Sequence, residues 1–314
     1  MRFGIYLPTE LPIGSRTSSM ELAEYASLAW ESGFTGFWAA DHVLAPRTGY
    51  PTGFLDPFIA LSSVASSVPG ASLGTGVLLA PLRPSLLLAK EIVTLSMMCE
   101  GRLHLGVGTG WYEEDFELLG LDPRKRGSLL DERLAYLRGF EWKDKFGLPN
   151  PGYKLIVGGG SRAQGAEFEA PSELSPSVLR RLKSADGWVS RPLATFEQVL
   201  TDQNLIESAM EEQDDFEIIH ACFVDVPWSS REDEDMSMSR ISAACGTERP
   251  VEVMARCVIR GDSEELAMHF ERRAKAGCDL LVMNPLVKTL ESIALYGEVI
   301  QLVQSSLGQA GDGG

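Results

Sequence analysis

Residues 103–120 read LHLGVGTGWYEEDFELLG. An apolar run passes through Gly106, Gly108 and Gly110 at alternate positions, then meets Glu113, Glu114, Asp115 and Glu117. Two readings compete: a dinucleotide-binding turn, or a buried strand opening into the mouth of a different active site. The dinucleotide fingerprint requires GxGxxG, with an acid about 20 residues further on at the end of the next strand. Here the spacing is GxGxG, and the next strand-like run, KLIVGGG, begins only at residue 154. Spacing and context both reject the dinucleotide fold.

Working outward, the same strand-then-helix unit recurs on both sides. Strand-like runs occur at MRFGIYL (1–7), TGFWAA (35–40), ASLGTGVLLA (71–80), RLHLGVG (102–108), KLIVGGG (154–160), DGWVS (186–190), FEIIHACFVDV (216–226) and CDLLVMN (278–284). Between them lie helical patterns with recognisable ends. In SSMELAEYASLAWESG, Ser18 and Glu21 form a capping box, Leu22, Tyr25, Ala26 and Ala29 share a face, and Gly33 ends the helix. Pro57 and Pro84 sit in the first turns of the next two helices, where a missing N–H costs nothing.

Short, mostly buried strands that each lead into a helix predict a parallel sheet covered by helices, and eight of them predict a closed (β/α)8 TIM barrel. Residues 1–308 are expected to form this single domain, with active-site loops after the strands. Residues 309–314 are expected to be a disordered tail. The acidic stretch SSREDEDMSMSR (229–240) reads as a mobile loop interrupting the seventh unit.

Composition narrows the function. With 28 Lys and Arg against 44 Asp and Glu, the net charge of −16 repels nucleic acid and anionic membranes, so neither is expected as a partner. Five scattered cysteines without a CxxC pair predict free thiols, with no disulfide framework and no metal site. The opening MRFGIYLPTE lacks a signal-peptide pattern and no apolar run approaches 18 residues, which leads to the expectation of a cytoplasmic protein.

In a barrel of this kind the chemistry sits at the C-terminal ends of the strands, so position itself is a clue. Asp41 and His42 follow the second strand, Gly74–Val77 end the third, Gly108–Glu113 follow the fourth, and Gly158–Ser161 follow the fifth. A histidine here could move a proton during catalysis, or could merely bond a loop. The glycines could admit a flat ligand, or could simply permit close backbone approach. Three successive glycines before Ser161 can aim backbone N–H groups at an anion, with Arg162 and Arg191 adding charge.

Taken in order, FWAADH, LGTGVLLAPLRPSLLLAKE, GRLHLGVGTGWYEEDFELLG, VGGGS, ADGW and the late DLLVMNPL resemble the luciferase-like monooxygenase superfamily. Within it the blocks look most similar to oxidoreductases that use the deazaflavin coenzyme F420. The resemblance implies catalytic roles for His42 and Glu113. It implies cofactor contacts from Asp41, Thr75, Gly76, Val77, Gly108, Thr109 and Gly110, and a phosphate turn at Gly159, Gly160 and Ser161. A non-prolyl cis peptide is implied in the Gly74–Val77 segment, and Glu114, Asp115 and Glu117 are expected to be solvated. The implied cofactor is coenzyme F420, with FMN as the alternative, the substrate is a small molecule, and the assembly is a homo-oligomer.

Three functions follow: hydride transfer with the deazaflavin, oxygen chemistry with reduced FMN, or a barrel that no longer turns over. Two departures affect the lid. The chain is short between LRGF and KLIVGGG, and long at RAQGAEFEAPSEL after the phosphate turn.

Overall fold

The structure, a computed structural model, describes residues 1–46, 52–160, 174–210, 215–226, 231–245 and 250–311. Its strands are β1 (Arg2–Tyr6), β2 (Glu10–Pro12), β3 (Gly36–Ala39), β4 (Thr52–Phe54), β5 (Ser72–Thr75), β6 (Leu103–Val107), β7 (Tyr153–Gly158), β8 (Gly187–Val189), β9 (Glu217–Asp225), β10 (Val258–Arg260) and β11 (Leu280–Pro285). β1, β3, β5, β6, β7, β8, β9 and β11 pair in that order, all parallel, and β11 returns to β1. These are the strands expected from the sequence, closed into the expected (β/α)8 barrel.

Local chemistry accounts for the elements. Ser18 accepts the Glu21 N–H at 3.2 Å, Glu21 takes the Ser18 N–H at 2.7 Å, and the helix Ser19–Glu31 buries the four residues predicted for its inner face. Gly33 follows at φ +100°, a conformation a side chain would disfavour.

Two layers of apolar packing result. Between sheet and helices lies the larger cluster, including Phe3, Ile5, Phe37, Leu105 and Phe270. Inside the barrel, Trp38 is fully buried among Tyr6, Ile156, Val189, Ile219 and Val282. One indole fills this space because β5 offers no side chain there: a Cβ at Gly74 would lie 2.6 Å from the Trp38 ring. Beneath it, Glu217 receives bonds from Arg2 and Lys154 at 2.8 Å and pairs with His104 at 2.9 Å, so His104 is a structural histidine. Burial alone would raise the Glu217 carboxyl, but the bonds from His104 and Lys154 hold it well below the usual range.

Three features differ from the sequence reading. β10 lies beside the upper end of β9, because β8 reaches only as far as Ile219 and leaves that edge open. The stretch expected as a mobile loop contains the helix Arg231–Cys245. Its stability comes from tertiary contacts: Ile241 is buried against Phe223 and Met254, and Arg240 forms a two-point ion pair with Asp225 at 2.8 and 2.9 Å. Finally, the closing helix runs from Leu290 to Gly311, past the expected boundary at 308, while residues 312–314 lie outside the described residues.

His220 on β9 sets a pH limit on this fold. Burial, reinforced by Arg273, pushes its imidazole down to about 3, from 6.5 in the open. Below pH 6.5 the unfolded chain therefore takes up a proton that the native state refuses, and stability falls as pH drops toward 3. The expected contribution is about 1.4 kcal/mol per pH unit. Urea titrations between about pH 6 and 5 should show His220→Gln losing that part of the slope; an unchanged slope would refute the assignment.

Candidate active site

A cavity of about 540 Å3 opens at the C-terminal ends of the barrel strands. β6 ends and the chain turns through Gly108, Thr109 and Gly110, all of which line it, before the helix Glu113–Leu118 begins. Alongside it, the Gly76–Val77 peptide is cis, as the family resemblance implied, and both residues line the cavity. The Val77 side chain wedges between two backbones that lack Cβ atoms: one at Gly108 would meet Cγ2 at 2.5 Å, and one at Gly158 would meet Cγ1 at 2.5 Å. Those two glycines thus let Val77 form a floor to the cavity.

His42 stands at the wall, largely covered, with its ring 4.8 Å from that of Phe54 and 5.6 Å from the indole of Trp111. Its Nδ1 lies 3.4 Å from Asp115 Oδ2, while Asp115 Oδ1 accepts the Leu44 N–H at 3.0 Å. One buried carboxylate therefore anchors both the histidine and the loop that carries it, leaving Nε2 for the cavity. Asp115 is 1% exposed, which corrects the expectation that it is solvated. Glu113, the expected catalytic acid, is exposed and does not line the cavity. The reason is helical geometry: two residues apart is about 200° of rotation, so an inward Asp115 turns Glu113 outward.

Asp41 lines the cavity but spends its carboxylate on the protein. Oδ2 accepts the Leu79 N–H at 2.8 Å and the Arg83 guanidinium holds both oxygens; Arg83 also reaches Asp56 at 2.9 Å. This network fixes the segment that follows Val77, so Asp41 acts as a positioning residue. Thr75 is fully buried, outside the cavity lining, with its hydroxyl donating to the Gly106 carbonyl at 2.7 Å. It ties β5 to β6, and the expected cofactor contact is corrected to a structural one.

After β7, Gly158 and Gly159 line the cavity beside Arg191. Gly160 is set back from it, and a Cβ there would fall 2.5 Å from Asp202 Oδ2 and 3.0 Å from Arg191 Nε, so the glycine lets these charged groups approach the turn. Ser161 and Arg162 lie outside the described residues.

Sequence reasoning missed the polar wall formed by Glu10 and Asn284, with Lys288 supporting Glu10 from outside the lining. Lys288 Nζ donates to Glu10 Oε2 at 2.7 Å, and Asn284 Nδ2 to Oε1 at 3.3 Å. Glu10 and Lys288 are 278 residues apart in sequence, and only closure of the barrel joins them. The one available signal was that Asn284 lies at the end of the last strand and Lys288 just after it, on the catalytic face. Beside this wall, Phe223, the register partner of Asn284 on β9, forms an apolar face with Met254 and Leu193. Among the described residues no three His, Cys, Asp or Glu side chains cluster as a metal site, and no helix is long and apolar enough to cross a membrane.

Comparison with known proteins agrees with this geometry. Residues 1–147 match the family model of the luciferase-like monooxygenases. An uncharacterized protein of Mycobacterium tuberculosis is 27% identical over 196 residues, 60% of this chain and 65% of that protein. The chain thus spans just under two thirds of that relative's length. The oxygenase component of a flavin-dependent trigonelline monooxygenase from Acinetobacter baylyi is 26% identical over 151 residues, 46% of this chain and 41% of that protein. Among solved structures, an F420-dependent secondary alcohol dehydrogenase in complex with an F420-acetone adduct aligns with a TM-score of 0.70. Identity is 16%, over 96% of this chain and 98% of that one. The first 147 residues are thus similar in sequence to the luciferase-like monooxygenases, and nearly the whole chain shares the (β/α)8 barrel fold of the solved dehydrogenase.

Proposed function

We propose that the chain is an oxidoreductase that transfers a hydride between coenzyme F420 and a small organic substrate. The observation that carries this reading is the pairing, in one cavity, of the glycine-framed Val77 floor with a histidine anchored by a buried carboxylate. The residues fit a flat ring with a phosphate-bearing tail. Val77 and the backbone of Gly108, Thr109 and Gly110 would hold the ring, and Gly158, Gly159 and Arg191 would receive a phosphate. A cavity of about 540 Å3 lies within the range of cofactor sites.

When bound, the deazaflavin supplies the ring carbon that accepts or returns a hydride. The chain's own residues handle the proton. If the substrate is an alcohol, its O–H proton must leave as its carbon loses hydride, and His42, whose Nδ1 faces Asp115, would take it on Nε2. Asp115, on the opposite ring nitrogen, favours the imidazole tautomer with Nδ1 protonated and steadies the positive charge that follows. The apolar face of Phe223 and Met254 excludes water from the carbon undergoing transfer.

The sequence blocks favour the deazaflavin. The flavin-dependent monooxygenase relative supports a second reading, oxygen chemistry with reduced FMN. Separate titrations of the purified protein with coenzyme F420 and with FMN distinguish them. Tight binding of F420 alone is expected; preference for FMN would move the assignment to a monooxygenase, and binding of neither would leave a barrel without turnover.

A further inference from the structure

Next to the active-site cavity lies a second recess of about 100 Å3, walled by the start of the helix Phe196–Ala209, by β10 and its approach, and by the helix Ser263–Lys275. Its polar lining is predominantly basic: Arg256, His269, Arg272 and Arg273, against one carboxylate among the described lining residues, Glu197. Arg273 is the unusual member. It is 3% exposed, yet its side chain forms no ion pair or hydrogen bond with any described residue, and its Nε is buried without a partner. The guanidinium carbons of Arg272 and Arg273 each stand 4.8 Å from the centre of the Phe196 ring. Glu197 pairs with Arg272 at 3.7 Å, is largely exposed, and acts on Arg273 only as the weakest of the titratable groups near it.

Removing a guanidinium from water without a close counter-charge is costly, and stacking on one aromatic face offsets only part of it. An anion in the recess would supply the missing charge, and two neighbouring guanidinium groups suit the oxygens of a tetrahedral oxyanion. The space equals about three water volumes, enough for such a group and little more. His269, half-buried, is pushed toward its neutral form by burial and then by Arg273 and Arg272, so positive potential already dominates the recess.

We propose that this recess is an oxyanion site that takes a phosphate- or sulfate-type group between Arg272 and Arg273. It adjoins the catalytic cavity: Ser190–Leu193 line the cavity while Ala194 and Phe196 line the recess, and Met254 lines the cavity while Arg256 and Cys257 line the recess. An anion there would brace two segments of the cavity wall. The group could be free inorganic phosphate or the phosphate end of a larger metabolite.

Isothermal titration of the full chain with inorganic phosphate, at ionic strength held constant with chloride, tests the proposal. Saturable binding is expected, weakened at least about tenfold in Arg273→Met and in Arg272→Gln, each of which loses charge-assisted hydrogen bonds. Arg272 is more than half exposed, so its variant should keep the fold even if that of Arg273 does not. Arg191→Gln should retain the binding, which separates the recess from the phosphate turn of the main cavity. Phenyl phosphate binding as tightly as inorganic phosphate would assign the site to a phosphorylated metabolite, and weaker binding to the free anion. No saturable binding, full retention in both Arg272→Gln and Arg273→Met, or loss only in Arg191→Gln would each overturn the proposal.

Discussion

His42→Ala is expected to lower kcat/KM by about 10²- to 10⁴-fold while leaving the fold intact, the range for removing a positioned acid–base group. The residue sits on the cavity wall with one ring nitrogen engaged by Asp115, and its removal leaves no other imidazole in the lining. Asp115→Asn sharpens the test. An amide of the same shape can still accept the Leu44 N–H but can offer a donor to Nδ1, which would force the proton onto Nε2 and leave the cavity facing the wrong tautomer. A loss of at least about tenfold in kcat, with cofactor affinity preserved, is therefore expected. Steady-state kinetics with separate cofactor titrations measure both. Full activity in His42→Ala would remove the proton-transfer role and with it the basis of the proposed mechanism.

Gly106→Ala is expected to produce the largest loss of stability, about 3 kcal/mol or more. A Cβ at this position would lie 2.0 Å from the carbonyl oxygen of Thr75, far inside contact distance. The obstacle is backbone on the paired strand, and Thr75 is itself bonded to the Gly106 carbonyl at 2.7 Å, so neither side can move alone. Gly108→Ala offers a contrast: its Cβ meets the tip of Val77 at 2.5 Å, and a side chain can yield where a carbonyl cannot. The second variant should lose less stability but distort the cavity floor and weaken cofactor binding. Urea unfolding of both separates the effects, and equal midpoints for Gly106→Ala and the parent would show that β5 and β6 tolerate a wider spacing.

The positions that mattered most differed in how legible they were. Gly106 and Gly108 stood out at once, because alternate glycines at the end of a strand have a steric meaning that needs no partner. Glu113 was misjudged and Asp115 overlooked for the opposite reason. Four acids in five residues look alike in sequence, and which one turns inward depends on how the helix docks against the His42 loop. The helix Arg231–Cys245 was misread similarly: its acidic start suggests a solvated loop, whereas Ile241 and the Arg240–Asp225 pair hold it down from a distance.

The amino-acid sequence alone determined the features that close over a few residues. These are the capping box at Ser18, the inner face of the first helix, the order of strands and helices, and the glycines at the strand ends. Their physics is local, and the repeated strand–helix unit leaves a closed parallel barrel as the compact way to bury both faces. Tertiary structure decided which polar side chains meet. His42 finds Asp115 across 73 positions and Glu10 finds Lys288 across 278, pairings that exist only because the barrel closes and brings distant loops to one rim. Hydrogen bonds of this kind depend on ångström-scale placement, which the periodicity of a chain does not encode.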